Sequence, residues 1–135
     1  DVQRVDPKRI IFEITETASV ANINETQRMI DQLQSLGCRF ALDDFGTGFC
    51  SFHYLRHLPT DFLKLDGSYI KNIADNDLDF AMVRSMNDIA HILGKKTIAE
   101  CVETPAVLHR LREIGVDYVQ GHGIGHALPL EFYSA

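Results

Sequence analysis

Residues 39–48 read RFALDDFGTG, a short apolar run that ends in two aspartates and a glycine-containing turn. Successive side chains of a β-strand point to opposite faces, so a strand over residues 39–44 would direct Asp43 away from its neighbour Leu42. Such a strand can bury its apolar side chains against helices and still present a carboxylate near its C-terminal end. The segment therefore predicts a buried strand that delivers acidic groups to one rim of a sheet.

The loop after the aspartates contains Gly46, Thr47 and Gly48. Its two glycines allow unusual φ angles and a close approach of the backbone to a ligand. We therefore include the three residues among the candidate site residues.

Four other short apolar runs are compatible with strands, at 9–15, 62–66, 97–102 and 118–120. In each run a polar residue follows or interrupts apolar neighbours: Glu13, Lys64, Glu100 and Gln120. Longer runs with helical spacing separate the strands, which predicts an α/β fold with five parallel strands. In a barrel of parallel strands, reactive groups gather at the C-terminal strand ends.

Helix signals fill the gaps between the strands. The first helix is predicted to begin at Asn24, with Gln27 as its capping partner, and the longest covers about 77–93. The last helix has Thr104 as N-cap, Pro105 at its first position and Gly115 after its end. A short helix is predicted over 49–57.

Composition limits the classes of function. The chain has 135 residues and a net charge of −6, which argues against binding to DNA or RNA polymers. Its three cysteines, Cys38, Cys50 and Cys101, form no disulfide framework and indicate reduced thiols in a cytoplasmic compartment. No apolar run approaches the roughly 20 residues of a membrane span, so any anchor of a parent protein would lie elsewhere.

The polar residues of the strand ends are rich in oxygen donors. Carboxylates such as Glu13, Asp43, Asp44 and Glu100 suit Mg²⁺ or Mn²⁺ better than zinc. The residues alone leave simpler alternatives open. Glu13 could face solvent at a sheet edge, the aspartates could cap a turn, and Glu100 could be a buried acid paired with Lys64.

The histidines His122 and His126 have the spacing of metal ligands. They lie in a glycine-containing segment, GHGIGH, in which we expect no helix to align the two rings. The pattern therefore favours an ordinary loop at this point.

Five segments, in order, resemble the EAL family of bacterial cyclic di-GMP phosphodiesterases: FEITET (12–17), ALDDFGTGF (41–49), LPTDFLKLD (58–66), TIAECVET (97–104) and VQGHGIGHALP (119–129). The resemblance covers essentially the whole chain. It implies a modified eight-stranded β/α barrel of the TIM type. On this interpretation residues 1–135 are the C-terminal portion of one such domain, a partial barrel without its N-terminal half.

The resemblance also implies a reaction and a set of roles. The reaction is hydrolysis of cyclic di-GMP to linear pGpG with Mg²⁺ or Mn²⁺ in a two-metal site. Glu13, Asp43 and Asp44 would be metal ligands, Glu100 a ligand or general base, and Lys64 a group that holds the attacking water or the phosphate. Four further residues would contact the substrate or support the site: Gln120, Glu16, Glu103 and Asp66.

The sequence departs from the family pattern in several places. No Glu-Ala-Leu tripeptide occurs, and an early asparagine ligand of the family has no counterpart. Cys101 and His122 stand where the family usually has glycine and an aromatic residue. A full barrel needs roughly 200–250 residues, so we expect either a fragment of a longer protein or a homodimer joined through exposed barrel edges.

Activity of the 135 residues alone is expected to be impaired or absent. The alternative from another functional class is a non-catalytic EAL-like module that binds cyclic di-GMP or a partner protein as a sensor. A third interpretation is a fragment without affinity for the nucleotide.

Overall fold

A computed structural model describes residues 5–47, 52–129 and 132 of the chain. Its described part contains five strands: β1 (Ile11–Thr15), β2 (Arg39–Phe45), β3 (Phe62–Leu65), β4 (Lys96–Ala99) and β5 (Tyr118–Val119). All neighbouring pairs are parallel, and the strands follow one another across the sheet in chain order. The predicted α/β fold with five parallel strands is therefore confirmed, with strand ends that differ by a few residues.

Six helices connect the strands of the described chain: α1 (Glu16–Ala21), α2 (Ile23–Ser35), α3 (Phe52–His57), α4 (Gly67–Ile70), α5 (Asp77–Ile92) and α6 (Pro105–Ile114). The signals of α6 act as expected, since Thr104 accepts from the Val107 N–H and Gly115 ends the helix with a φ of +83°. Residues 49–51 of the predicted short helix lie outside the described residues. The rest of that prediction corresponds to α3.

The predicted start of the first helix is wrong. Thr15 caps the additional helix α1, and Asn22 caps α2 by accepting from the Glu25 N–H. The Asn22 side chain also donates to the Glu25 carboxylate at 2.6 Å, so Glu25 is the reciprocal capping partner. Gln27 instead donates to the His57 carbonyl at 2.6 Å and joins α2 to α3.

The hydrophobic core lies between the sheet and the helices. Leu42, Leu63 and Leu65 are fully buried on the strands and pack with the inner faces of α5 and α6. On α5 the buried positions are Val83, Met86, Asn87 and Ala90. Leu78 is 68 % exposed because it lies in the first turn of α5, outside the stripe that faces the sheet.

Polar contacts hold the opposite end of the sheet, where β3 and β4 begin. The buried Lys95 ammonium donates to the carbonyls of Leu58 and Thr60 at 2.7 and 2.8 Å. Asp117 accepts from the Thr97 N–H at 2.8 Å and contacts the His91 ring nitrogen at 2.7 Å. Burial raises the pKa of Asp117, but these hydrogen bonds outweigh burial and the pKa falls below its usual range. Lys95 and Asp117 thus have hydrogen-bond partners and serve to hold this end of the sheet together.

Helices long and apolar enough to cross a bilayer are absent from the described residues.

Candidate functional site

The site is built around Lys64, whose side chain emerges near the C-terminal end of β3. Its ammonium lies 2.9 Å from Glu13 Oε2, 3.4 Å from Asp43 Oδ1 and 2.7 Å from Glu100 Oε1. These carboxylates come from β1, from β2 and from the residue after β4. Side-chain alternation along parallel strands thus brings four predicted residues to one place, as the sequence indicated.

A bulge in β2 explains how Asp44 joins this group. Leu42 pairs with Leu63 and Phe45 with Leu65, so two aspartates lie opposite the single residue Lys64. Adjacent residues of a regular strand would point to opposite faces, but Asp44 has a φ of +58°. Oxygen atoms of Asp43, Asp44 and Glu100 consequently lie within 4.8 Å of one another.

The charges of this acidic cluster do not balance. Four carboxylates (Glu13, Asp43, Asp44 and Glu100) face one ammonium, which leaves a formal surplus of three negative charges among the described groups. Burial raises the pKa of Glu100, and contacts with Lys64 offset only part of this effect. Burial would lower the pKa of Lys64, but hydrogen bonds to Glu100 and Glu13 outweigh it and raise the pKa above its usual range. Lys64 is therefore a permanent cation inside an acidic cluster.

This donor set fits hard divalent cations. Mg²⁺ and Mn²⁺ prefer carboxylate oxygens, and the three mutually close carboxylates of Asp43, Asp44 and Glu100 can each offer one oxygen to a shared ion. Glu13, whose Oε2 lies 2.9 Å from the Lys64 ammonium, adds a fourth carboxylate beside this group.

The loop after β2 is held from both sides. Glu16, which is 2 % exposed, accepts from the Gly46 N–H at 3.2 Å. The Tyr69 hydroxyl on α4 donates to the Gly46 carbonyl at 2.7 Å. Thr47 closes the turn by donating its hydroxyl to the Asp44 carbonyl at 2.7 Å. These contacts fix the backbone that positions both aspartates. The third predicted loop residue, Gly48, lies outside the described residues.

Three other predicted residues, Asp66, Gln120 and Glu103, make no hydrogen bond or ion pair with Lys64 among the described residues. Asp66 caps α4, where its carboxylate accepts from the Ser68 N–H at 2.8 Å and from the Ser68 hydroxyl. Gln120 and Glu103 line an open cavity of about 440 Å³ that also contains Glu100. Within the described residues, no hydrogen bond joins the Glu103 side chain to the acidic cluster. Their roles toward a substrate stay predictions.

Two contributors were missed by sequence reasoning. Tyr69 follows the strand motif by only a few residues, but no local pattern shows that its hydroxyl reaches the Gly46 loop. Cys101 has a φ of +55°, a conformation that favours glycine, and its sulfur lies against Gly67. The signal for Cys101 was present, because the resemblance places a glycine there.

A parallel β/α fold with an acidic, lysine-centred site at the strand C-termini defines a barrel-type domain suited to divalent-metal chemistry. The family model of the EAL domain matches residues 1–127. The chain therefore belongs to the EAL domain family.

Curated proteins with similar sequences are named as cyclic di-GMP phosphodiesterases. The chain is 47 % identical over 124 residues to the cyclic di-GMP phosphodiesterase PdeB of Shewanella oneidensis, covering 92 % of this chain and 14 % of that protein. It is 39 % identical over 127 residues to PdeF of Escherichia coli, a cyclic di-GMP phosphodiesterase, covering 94 % of this chain and 17 % of that protein. The chain thus spans less than a fifth of the length of either relative.

A solved structure of the PaMucR phosphodiesterase in complex with c-di-GMP has a TM-score of 0.88 and 32 % identity. The match covers 96 % of this chain and 53 % of that chain. The described strands and helices thus correspond to part of an EAL TIM-type barrel, which confirms the predicted partial barrel.

Gly46→Ala is expected to destabilise the protein by roughly 2–4 kcal/mol, the sum of a left-handed backbone penalty and a steric clash. Gly46 has a φ of +98°, and an added Cβ would lie 3.0 Å from the Tyr69 ring and 3.1 Å from the Met86 methyl. Chemical denaturation followed by circular dichroism measures the loss.

Gly94→Ala is the matched control. Its φ is +73°, but no described atom lies within 4 Å of the added Cβ, so only the backbone penalty of about 1–2 kcal/mol applies. Equal losses for the two variants would contradict the tight packing of the loop.

Proposed function

We propose that this chain carries the principal acidic residues of a cyclic di-GMP phosphodiesterase site, which hydrolyses the cyclic dinucleotide to linear pGpG with Mg²⁺ or Mn²⁺. The observation that carries the proposal is the convergence of Glu13, Asp43 and Glu100 on the Lys64 ammonium, with Asp44 beside them. The names of the relatives and the bound c-di-GMP of PaMucR support the same substrate.

Residue roles follow from position and charge. Glu13, Asp43 and Asp44 would hold the divalent ions, which when bound would supply Lewis acidity for cleavage of the phosphodiester. Lys64 Nζ would hold a phosphate oxygen and offset the negative charge that builds at phosphorus. Glu100 would orient the attacking water and accept its proton at a carboxylate oxygen, a role that suits a carboxyl whose pKa is raised by burial.

The supporting residues would act on these groups. Glu16 holds the loop that carries the aspartates, through the Gly46 N–H. Gln120 and Glu103 would bind substrate or water from the cavity beside Glu100, and Asp66 would orient the end of β3 through its cap of α4. In the reaction, the oxygen of water forms a bond to phosphorus, the bond between phosphorus and the 3′ oxygen breaks, and that 3′ oxygen receives a proton.

The alternative is a sensor that binds cyclic di-GMP without cleaving it. Retention of the lysine and of all four carboxylates in one cluster favours the enzyme, because binding alone does not need a charge surplus suited to metal ions. The free thiols of Cys38 and Cys101 support a cytoplasmic location, which we include in the proposal.

Lys64→Met is expected to lower kcat for pGpG formation about 100- to 1000-fold while changing KM little, because the lost charge acts mainly in the transition state. Asp43→Asn is expected to weaken Mn²⁺ activation at least about 100-fold. Both effects are measured by chromatography of pGpG over a range of metal concentrations, with an intact barrel domain that contains these residues.

Lys71→Met, at an exposed position after α4, is the control and should retain full activity. Nucleotide binding without pGpG formation by an intact barrel domain that contains these residues would establish the sensor instead. We expect the 135 residues alone to turn over poorly or not at all.

We further propose that two copies of the chain associate through the edges of the sheet. In the described residues β1 pairs only with β2, and β5 pairs only with β4. Ile11 and Phe12 on β1 and Tyr118 on β5 are 40 %, 39 % and 47 % exposed. Unpaired strand edges that carry exposed apolar side chains favour pairing with another chain.

Light scattering of the purified chain should therefore give about twice its mass of 15.2 kDa. Ile11→Lys should shift the protein toward monomer, because a charge at the edge opposes strand pairing. Leu36→Lys, at a 65 % exposed position after α2, should leave the dimer intact. A monodisperse monomer of the unsubstituted chain would contradict the proposal.

A further inference from the structure

His122 and His126 lie close together directly after β5. Their ring centroids are 4.4 Å apart and the ring planes are inclined by 31°. The backbone explains this, because the N–H groups of Ile124 and Gly125 both donate to the Gly121 carbonyl, at 3.0 and 3.1 Å. Residues four apart on such a helical turn share one face. The segment is a turn and not a regular helix, as expected, and this turn alone brings the two rings together.

Close backbone packing holds this turn in place. A Cβ on Gly121 would lie 2.3 Å from the backbone nitrogen and oxygen of Val102. A Cβ on Gly123 would lie 2.6 Å from the Glu103 carbonyl oxygen, and the Gly123 N–H donates to the Val102 carbonyl at 2.9 Å. The two histidines are therefore presented by a turn that is anchored to the segment after β4.

The surroundings of the pair favour a cation. Both rings line the cavity of about 440 Å³ that also contains Glu100 and Glu103. No hydrogen bond from either ring is recorded within the described part of the chain, so the ring nitrogens are available. Neutral imidazole is the commonest metal ligand in proteins and suits Zn²⁺, Co²⁺, Ni²⁺ and Cu²⁺, whereas Mg²⁺ prefers oxygen.

We propose that His122 and His126 form a two-histidine site for a transition-metal dication of the Zn²⁺ class, on the wall of the cavity beside Glu100. Water completes the coordination of the ion, and the carboxylates of the cavity raise its local concentration. The site goes beyond the proposed phosphodiesterase activity and takes no metal ligand from the acidic cluster. An ion that prefers nitrogen ligands would then lie next to the acidic cluster, whose oxygen ligands suit Mg²⁺ or Mn²⁺.

Calorimetric titration with Zn²⁺ in excess Mg²⁺, without nucleotide, tests the proposal. The excess Mg²⁺ occupies oxygen-donor sites, so heat from the histidine pair remains. We expect one saturable Zn²⁺ site per chain, and His122→Asn or His126→Asn should each weaken it by at least about tenfold. Circular dichroism checks that each variant is folded, which is expected because both side chains are exposed.

Two controls make the result specific. His109→Asn removes an exposed histidine of α6 that lies 3.4 Å from Glu113, and Zn²⁺ affinity should not change. Asp43→Asn should also leave Zn²⁺ binding intact, so failure of the phosphodiesterase proposal would not affect this one. Unchanged Zn²⁺ affinity in both histidine variants, or loss of Zn²⁺ binding in Asp43→Asn, would overturn it.

Discussion

The buried ammonium of Lys64 is the group on which the organisation of the site depends. Its side chain is 4 % exposed, and a charge so far from water needs close partners of opposite sign. Those partners come from β1, from β2 and from the end of β4, so the contacts form only when the strands are parallel and in register. The fold and the charge arrangement are therefore coupled, because a change in strand register would leave the Lys64 ammonium without its carboxylate partners.

The lysine does not neutralise its surroundings. The bulge in β2 turns Asp44 toward the same space as Asp43, which adds a carboxylate without adding a cation. A purely structural ion pair would need one acid, whereas this cluster holds four. The surplus negative charge gives a divalent cation a favourable place to bind, and the contacts of Glu16 and Tyr69 with Gly46 keep the bulge in position. Structure and proposed chemistry thus rely on the same loop.

Much of this arrangement could be predicted from the sequence. The parallel order of the strands follows from alternating apolar and helical runs, and side-chain alternation brings Glu13, Asp43, Lys64 and Glu100 together. Alternation could not predict that Asp44 joins its neighbour, because this requires the bulge and the positive φ. It also could not show Tyr69 at Gly46 or the histidine turn, which arise from contacts between segments distant in sequence. The missed cap at Asn22 shows a similar limit, since two asparagines near the start of α2 offered competing local signals.

The most direct test of the account is where a divalent cation binds. Anomalous diffraction from crystals grown with Mn²⁺ locates the ion without relying on activity or on the identity of the nucleotide. The account predicts an anomalous peak at oxygens of Asp43 and Asp44, beside Glu100 and within reach of the Lys64 side chain. If crystals grown at a saturating Mn²⁺ concentration show no peak at these carboxylates, or a peak only elsewhere on the chain, the account is contradicted.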